Sequence, residues 1–299
     1  MTYWKHYRQP ESVDEALASL AAAQGSARVI AGGTDLLIDF RQARQPEVDT
    51  LVDVTRIPEM QAIRLDAEAI FLGAAATHHA IVASPLLAQH APALVEACLL
   101  IGGPQVREVA TIGGNVANAL PAADGAVALL ALGAEGCLAG KQGRRWVPME
   151  ALFLSPGTPA FDRNHQILVG FRIPLRSEGE GSAFHRIMRP QGVAIAILNG
   201  AAWVRLDRDD KLADVRLTIA PTGPTPARAR KAEEGLRGQE LSVEVIAAAA
   251  AAVRQEARLR TSPHRATKEY RSLLVEVVVR RVLLGAFASA LAERTIAVV

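Results

Sequence analysis

The sequence predicts an α+β protein built from two domains. Its 299 residues exceed the length of one typical domain. Strand patterns stand beside helical patterns in both halves of the chain, which favours mixed layers of sheet and helix. The stretch RSEGEGS at residues 176–182 is charged, glycine-rich and without periodicity, which is typical of an interdomain linker. We therefore predict domains at residues 1–176 and 177–299.

The N-terminal domain begins with a capped helix and a strand that leads into a glycine turn. PESVDEALASLAAAQGS opens with a capping box, Ser12 followed three residues later by Glu15, and ends at Gly25. ARVI predicts a strand that ends at Gly32 and Gly33, and LLIDFRQ predicts the helix that follows. TLVDVT predicts a further strand, and QAIRL with AIFLGAA predicts a hairpin.

The rest of this domain combines helices, an irregular segment and three strands. Thr77 and Ser84 are predicted helix caps, and APALVEACLLIG predicts a buried helix. Residues 102–133 are rich in small side chains, and their pattern predicts a helix only in the last third of the segment. EGCLAG, RRWVP and QILVGFRIP predict strands around the irregular LSPGTPAFD.

The C-terminal domain is predicted as a small antiparallel sheet backed by helices. GVAIAILNGAAWVRL and ADVRLTIAP predict two long strands joined by DRDDK, and helices are predicted in ARARKAEEGL, VEVIAAAAAAVRQEA and KEYRSLLVEVVVRRVLLGAFASAL. The last helix, around Arg280 and Arg281, carries an apolar face that suits either core packing or a subunit interface.

Composition excludes several classes of protein. The 33 basic and 31 acidic residues give a formal charge of +2. The sequence contains no basic block with interleaved aromatic residues, so nucleic acid binding is not expected. We expect no signal peptide, no membrane span and a cytoplasmic location, because the start is polar and charges interrupt every long apolar run. Two cysteines, Cys98 and Cys137, are too few for the four ligands that an iron–sulfur cluster normally needs.

The stretch VIAGGTDLL at residues 29–37 places two glycines and a hydroxyl at a predicted strand–helix junction. Glycine lets successive backbone amides point into one concavity, so Gly32, Gly33 and Thr34 suit a bound phosphate. Asp35 would repel a phosphate, so we expect it to cap the following helix or to face away. Taken alone, the stretch is better explained as a plain tight turn, and it lacks the G-x-G-x-x-G of a Rossmann unit.

A second glycine turn, ATIGGNVAN, follows about 80 residues later. Thr111, Gly113, Gly114 and Asn115 offer uncharged donors, and Asp124 in PAAD is an acceptor suited to ribose hydroxyls or an adenine amino group. A solvent loop is the alternative, but apolar residues run through this stretch. Two donor-rich turns of this kind suit the two sides of one pyrophosphate.

Together AGGTDLL, IGGPQVREVATIGGN and PAAD resemble the flavin-binding subunit of the xanthine dehydrogenase and carbon monoxide dehydrogenase family of molybdenum hydroxylases. The resemblance extends to HYRQPESVDEALASL, to ILVGFRIP and to EYRSLLVEVVVRRVL near the C-terminus. It implies a two-subdomain, vanillyl-alcohol-oxidase-like (PCMH-type) FAD-binding domain, followed by an α+β domain like the C-terminal domain of the carbon monoxide dehydrogenase flavoprotein.

The resemblance also implies positions for FAD. The pyrophosphate would lie between the two glycine turns, Asp124 would approach the ribose and adenine, and two apolar side chains would contact the ring systems, although core packing explains those two equally well. The residues implied in cofactor binding are Ala31, Gly32, Gly33, Thr34, Asp35, Ile101, Thr111, Gly114, Asn115, Asp124 and Leu168.

The function that the resemblance implies is electron transfer within a multi-subunit enzyme. A large subunit would carry the molybdenum cofactor, a small subunit would carry two [2Fe-2S] clusters, and the FAD of this chain would pass electrons to an external acceptor in a dimer of heterotrimers. NAD, quinone, oxygen and a carrier protein all remain open as acceptors. No general acid or base and no metal ligand is assigned. The low cysteine count separates the chain from the branch with an extra four-iron cluster.

Two departures from the family pattern concern the flavin-ring environment: His185 replaces a frequent lysine, and Gly192, Val193 and Ala194 replace a DIA or DYA stretch. A stand-alone flavin oxidase of the same fold is the alternative function, although AGGTD lacks the histidine that often tethers flavin there. A scaffold without flavin is a third possibility, against which the intact donor residues argue.

Several polar residues allow two interpretations. Arg107, Arg186 and Arg189 fit either an acceptor or partner patch or ordinary solvated positions. His78 and His79 are predicted as a polar pair in the first turn of a helix.

Overall fold

The structure is a computed structural model that describes residues 2–189, 195–263 and 265–297. Its N-terminal part begins with a three-stranded parallel sheet in the order β1-β3-β2. The elements of this layer are β1 (Trp4–Arg8), α1 (Val13–Ala21), β2 (Ala27–Ile30), α2 (Leu36–Arg41) and β3 (Val48–Asp53). The predicted cap of α1 is confirmed, because the Ser12 hydroxyl accepts from the Glu15 amide at 3.2 Å.

A five-stranded sheet in the order β4-β5-β10-β6-β7 forms the second layer of this part. Its strands are β4 (Ile63–Asp66), β5 (Ala69–Gly73), β6 (Glu135–Gly140), β7 (Gly143–Pro148) and β10 (Ile167–Pro174). The predicted hairpin is confirmed by antiparallel pairing from Ile63 with Leu72 to Asp66 with Ala69. A short ribbon of β8 (Phe153–Ser155) and β9 (Thr158–Pro159) lies in the segment predicted as irregular.

Helices fill the space between and beside these sheets: α3 (Pro58–Gln61), α4 (His78–Val82), α5 (Pro85–His90), α6 (Pro92–Leu99), α7 (Pro104–Arg107), α8 (Ile112–Ala117) and α9 (Asp124–Ala131). The expectation of one helix in the last third of residues 102–133 is wrong, since α7 and α8 precede α9. Thr111 caps α8 by accepting from the Gly114 amide at 3.2 Å, and a cap with tertiary packing outweighs the poor helix propensity of two glycines.

The C-terminal part is a three-stranded antiparallel sheet, β11 (Glu180–Ile187), β12 (Leu198–Leu206) and β13 (Leu212–Ala220), covered by α10 (Arg230–Leu236), α11 (Val243–Glu256) and α12 (Lys268–Ala297). The sheet has a third strand that the sequence patterns did not predict. Strand β11 begins within the stretch interpreted as a linker, so that interpretation is wrong for residues 180–182.

One glycine of that stretch, Gly181, permits close packing of β11 against α12. A Cβ on Gly181 would lie 2.2 Å from the Ala286 carbonyl oxygen of α12, so only glycine lets this strand approach the helix. Arg176 is also held, because its Nε donates to the Glu180 carbonyl at 2.7 Å. The Glu96 carboxylate of α6 accepts from the Phe184 amide of β11 at 2.6 Å, which joins the two parts directly. No helix among the described residues has the length and hydropathy needed to cross a membrane.

Candidate functional site

A cleft of about 500 Å³ lies between the parallel sheet and the rest of the N-terminal part. The turn after β2 forms one wall, and α7, α8 and the start of β10 form the other. Of the residues predicted to bind the cofactor, those that line this cleft are Ala31, Gly32, Gly33, Thr34, Asp35, Ile101, Thr111, Gly114, Asn115 and Leu168. Asp124 is not among them.

The first glycine turn presents free backbone donors to the cleft. In the described part of the chain, no acceptor is bonded to the amides of Gly32, Gly33, Thr34 and Asp35, and the Thr34 hydroxyl is equally without a partner. Four successive unpaired amides are uncommon in half-buried backbone, because each N–H requires an acceptor from protein, solvent or ligand. An anion with several acceptor oxygens suits such a turn.

The two glycines of this turn are needed for different reasons. A Cβ on Gly32 would lie 1.9 Å from the Val109 carbonyl oxygen, so the backbones of the two cleft walls touch at this point. Gly33 has φ +66°, a conformation that residues with a side chain rarely adopt. The turn is therefore shaped both by contact with the opposite wall and by its own backbone geometry.

The second glycine turn differs, because its amides are already bonded. Ile112 and Gly113 donate to the carbonyls of Ala76 and Ala74 at 3.1 and 2.8 Å, and Gly114 and Asn115 donate to the Thr111 side chain and carbonyl. The expectation that the backbone of Gly114 offers a free donor is therefore wrong.

What this turn can still offer a ligand is side-chain donors and open space. The Asn115 side-chain NH₂ and the hydrogen of the Thr111 hydroxyl have no acceptor among the described residues, while Asn115 Oδ1 accepts from the Ala126 amide at 3.1 Å. A Cβ on Gly114 would meet only the Thr111 hydroxyl, at 3.2 Å.

Asp35 links the two turns. It occupies the N-cap position of α2 but makes no side-chain cap hydrogen bond, so the expectation that it caps the helix is wrong. Its carboxylate instead accepts from the Asn118 amide nitrogen at 2.9 Å. Burial raises the pKa of Asp35, and the neighbouring Asp39 adds to the rise, while the bond from Asn118 opposes it.

Asp124 lies at the contact between the two parts of the chain. Its carboxylate accepts from Arg186 Nη1 at 2.7 Å and from the Asn199 amide nitrogen, and the Asp124 and Arg186 side chains are 8% and 5% exposed. Burial raises the pKa of Asp124, opposed by Arg186. The structure does not bring Asp124 to the cleft: this residue does not line it, and its carboxylate is engaged by Arg186 and Asn199. The interpretations of Arg186 as part of a surface patch or as a solvated residue are wrong, because its side chain is buried in this ion pair.

Two arginines that line the cleft, Arg28 and Arg163, were not predicted from the sequence. Arg163 Nη2 donates to the carbonyls of Ala117 and Gly157 at 2.6 and 2.9 Å, and its buried Nε has no hydrogen-bond partner. Burial and the charge of Arg28 lower the pKa of Arg163 to about 10. Both arginines line the cleft. Nothing in SARVI or FDRNHQ distinguishes them from solvated arginines, so the sequence held no signal for this pair.

His78 is a further lining residue that was singled out from the sequence. His78 is buried beside Cys98, with 3.3 Å between Nδ1 and Sγ, and burial and Arg107 lower its pKa to about 4, so the imidazole is neutral at pH 7. His78 lines the cleft while His79 pairs with Glu108 in solvent, so the prediction of a polar first-turn pair is wrong for His78.

The other residues singled out from sequence have varied positions. Arg107 donates to the carbonyls of Ile101 and Gly102 at 3.3 and 3.1 Å, so it holds the loop that precedes α7. Arg189 is exposed. The pKa of His185 is lowered by burial and by Arg281. Residues 192–194 lie outside the described residues.

The donor set fits a flavin adenine dinucleotide. A run of unpaired amides suits the pyrophosphate, an unpartnered arginine nitrogen supplies a further donor, and apolar residues at Ile101 and Leu168 suit ring systems. Among the described residues, no group of histidine, cysteine and carboxylate side chains is arranged to hold a metal, and both cysteines are buried and free.

Comparison with known proteins agrees with this assignment. The profile of the family described as "FAD binding domain in molybdopterin dehydrogenase" matches residues 3–176, and "CO dehydrogenase flavoprotein C-terminal domain" matches residues 182–286. The fold therefore defines a flavin-binding component of molybdopterin-dependent dehydrogenases.

Two curated relatives and one solved structure illustrate the similarity. The 6-hydroxypseudooxynicotine dehydrogenase complex subunit alpha of Paenarthrobacter nicotinovorans is 34% identical, covering 93% of this chain and 92% of that one. The xanthine dehydrogenase FAD-binding subunit of Escherichia coli O157:H7 is 30% identical, covering 95% and 96%. The structure of carbon monoxide dehydrogenase from Hydrogenophaga pseudoflava, in a form lacking the Mo-pyranopterin moiety, aligns with a TM-score of 0.89 at 30% identity, covering 95% and 97%.

This chain belongs to the family of FAD-binding medium subunits of xanthine and carbon monoxide dehydrogenase-type molybdenum hydroxylases. The predicted family, two-part α+β fold and FAD cofactor are thereby confirmed. Relatives over nearly the full length are components of dehydrogenases, so the chain is an oxidoreductase component.

Proposed function

We propose that this chain is the electron-transfer subunit of its enzyme, holding FAD in the cleft between the two glycine turns. FAD, when bound, accepts electrons singly and releases them singly or in pairs, and the protein supplies its position and electrostatic environment. The observation that carries the proposal is the run of four amides, Gly32 to Asp35, without acceptors in the described chain.

In this proposal the first turn binds the pyrophosphate through backbone amides and the Thr34 hydroxyl. Thr111 and Asn115 donate from the opposite wall through side chains only, and Gly114 leaves room for the phosphate to approach closely. Asp35 fixes the spacing between the turns through Asn118 and contacts FAD only through its backbone. Asp124 acts indirectly, by fixing the C-terminal part against α9.

Different residues of the cleft lining would contact the charged and the apolar parts of the cofactor. Arg28 and Arg163 contribute positive charge to this lining, and the unpartnered Arg163 Nε supplies a donor. Ile101, Val106 and the neutral His78 belong to the same lining and would exclude water from a ring system.

The assembly that we propose contains a large molybdenum-cofactor subunit and a small subunit with two [2Fe-2S] clusters, arranged as a dimer of heterotrimers. Electrons would pass from those clusters to the FAD of this chain and then to an external acceptor. The names of the relatives support this, because they include a subunit of a dehydrogenase complex and a medium chain of carbon monoxide dehydrogenase. A solved structure aligned at a TM-score of 0.90 is described as Cu,Mo-CO dehydrogenase.

The first experiment measures the flavin directly. The purified chain is denatured and the released flavin is identified and counted, with one FAD per chain and no FMN as the expected result. Adding FAD to the apoprotein should also raise its melting temperature, since a ligand selective for the native state stabilises it. An unchanged melting temperature at saturating FAD would contradict the assignment of the cleft.

A second experiment tests the assembly independently of flavin binding. The tagged chain is recovered from its native cells under mild conditions, and molybdenum and iron are measured in the purified complex. We expect about four iron atoms for each molybdenum, as two [2Fe-2S] clusters require. Recovery of the FAD-loaded chain without either metal would refute the proposed partners while leaving flavin binding intact.

A further inference from the structure

The C-terminal part contains a buried arginine whose charge is not balanced. Arg271, in the first turns of α12, is 1% exposed and is the largest fully buried side chain among the described residues. Its Nε and Nη1 atoms have no hydrogen-bond partner. Guanidinium does not deprotonate in proteins, and burial of an unpaired charge is strongly unfavourable.

The charged groups around Arg271 increase this imbalance. Arg260 and Arg265 both act on it electrostatically, and together with burial they lower its pKa, with no carboxylate contributing in the opposite direction. Arg265 is itself affected in the same way by burial and Arg260. No ion pair involves any of the three arginines in the described part of the chain.

The three arginines differ in their exposure to solvent. Arg260 is exposed, Arg265 is half-buried and Arg271 is fully buried. The backbone around them makes local bonds, such as Ser262 N to the Ala266 carbonyl at 2.9 Å and Arg265 N to the Ser262 carbonyl at 3.1 Å. Neither carbonyl accepts from Arg271, whose Nε and Nη1 are left without an acceptor in the described part of the chain.

We propose that Arg260, Arg265 and Arg271 form a binding site for a tetrahedral oxoanion of the phosphate class. Each guanidinium offers a planar fork of N–H donors, and an oxoanion with several acceptor oxygens satisfies more than one fork at once. A halide lacks this directional match. Arg271 is the inner ligand, and the two outer arginines attract the anion and complete its coordination.

The site is separate from the flavin cleft, because none of its three arginines lines that cleft. Its anion therefore neutralises the segment between α11 and α12 and not the cofactor. The variant that removes the inner ligand should leave FAD content unchanged, so the two assignments are tested independently.

The test uses the FAD-loaded full chain in phosphate-free buffer at constant ionic strength. Thermal unfolding is followed while sodium chloride is replaced by inorganic phosphate or, in a second arm, by glycerol phosphate as a monoester. We expect a saturable rise in melting temperature in at least one arm. Equilibrium dialysis with labelled phosphate or monoester should give one anion per chain.

Arg271→Met should abolish this rise, because it removes the inner ligand at similar volume. In phosphate-free buffer the same variant should be at least as stable as the wild type, since an unpaired buried charge is gone. Arg280→Met is the matched control on an exposed position of the same helix and should respond to the anion as the wild type does. If Arg271→Met does not fold, Arg265→Met replaces it, with anion affinity reduced about tenfold.

Two results would overturn the proposal. One is that phosphate and glycerol phosphate raise the melting temperature no more than chloride at the same ionic strength. The other is that the Arg271→Met or Arg265→Met variant keeps the full anion response of the Arg280→Met control.

Discussion

The two glycine turns of the flavin cleft have similar sequences, AGGTD and TIGGN, and different physical roles. The first leaves the amides of four successive residues without an acceptor in the described chain, whereas in the second the amides of Ile112, Gly113, Gly114 and Asn115 all donate to protein acceptors. In the proposed site the first turn would therefore bind with its backbone, and the second with its side chains and with the space beside Gly114. A glycine pair in a sequence therefore does not reveal whether its amides are available.

The largest expected effect is a loss of apoprotein stability when the packing of the first turn is disturbed. Gly32→Ala places a Cβ 1.9 Å from the Val109 carbonyl oxygen, a backbone atom that has no flexible end to move aside. We expect a loss of about 3 kcal/mol of unfolding free energy or more, measured by urea denaturation of the apoprotein. Gly235→Ala is the control: no atom lies near its added Cβ within α10, and it should be neutral or slightly stabilising.

The second prediction concerns the open space at the second turn. Gly114→Val should leave the apoprotein folded, because the added Cβ meets only the Thr111 hydroxyl at 3.2 Å. It should nevertheless abolish FAD retention, since the side chain fills the space that we assign to the phosphate. Flavin content after purification and far-ultraviolet circular dichroism measure the two effects. Full flavin content in this variant would remove Gly114 from the binding site.

Gly33→Val should also abolish FAD retention, but through backbone strain in the first turn. Here a β-branched residue must adopt φ +66°, so strain and loss of FAD should occur together. Normal flavin content in both the Gly33→Val and Gly114→Val variants would refute the two-turn model of binding.

A matched pair of threonine substitutions gives the third and smaller effect. Thr111→Val removes the cap of α8 and should cost about 1 kcal/mol of stability even without FAD. Thr34→Val removes a hydroxyl without a protein partner, so apoprotein stability should stay constant while FAD affinity falls about tenfold. Flavin fluorescence titration and thermal unfolding distinguish the two. Equal stability losses in both variants would contradict the difference between the turns.

The smallest predicted effect concerns the carboxylate that joins the turns. Asp35→Asn keeps an oxygen acceptor for Asn118 and removes a charge beside the proposed phosphate, so FAD affinity should rise modestly at pH 7. Apoprotein stability should change by less than about 1 kcal/mol, because the site is partly exposed.

The effect of Asp35→Asn on apoprotein stability should depend on pH. The pKa of Asp35 is raised in the folded state, so the folded wild type takes up a proton more readily than the unfolded chain. The stability deficit of the wild type relative to Asp35→Asn should therefore shrink as pH falls through that pKa. A variant whose advantage grows toward acid pH would contradict the raised pKa. Parallel unfolding curves across the acid range provide the measurement.

Predictions from the sequence were accurate where the determining interactions are local. The cap of α1 at Ser12, the caps at Thr77 and Ser84 and the hairpin of β4 and β5 all depend on residues close together in the chain. Predictions were wrong or missing where the environment of a side chain depends on residues distant in the chain. Asp124 pairs with Arg186 62 residues away, and Arg163 and Arg28 meet only because β2 and the segment before β10 face the same cleft.

The glycine-rich stretch before β11 illustrates the same limit. Its composition is typical of a flexible linker, yet Gly181 is there because α12 approaches within contact distance of the strand. That helix begins almost 90 residues later in the chain, so no local pattern contains the information. The proposed domain boundary near residue 176 stays a prediction.

The family and the mixed α+β class were predictable from the sequence, because the motifs that carry the resemblance are contiguous stretches, and the resemblance in turn implied FAD. Which donors remain free depends on the folded structure, since an amide is available only if no carbonyl or hydroxyl from elsewhere in the fold reaches it. The same holds for Arg271, whose unbalanced charge is visible only when burial and the absence of a described carboxylate partner are known together. Hydrogen bonding and burial are properties of the folded neighbourhood, and residues distant in sequence create it.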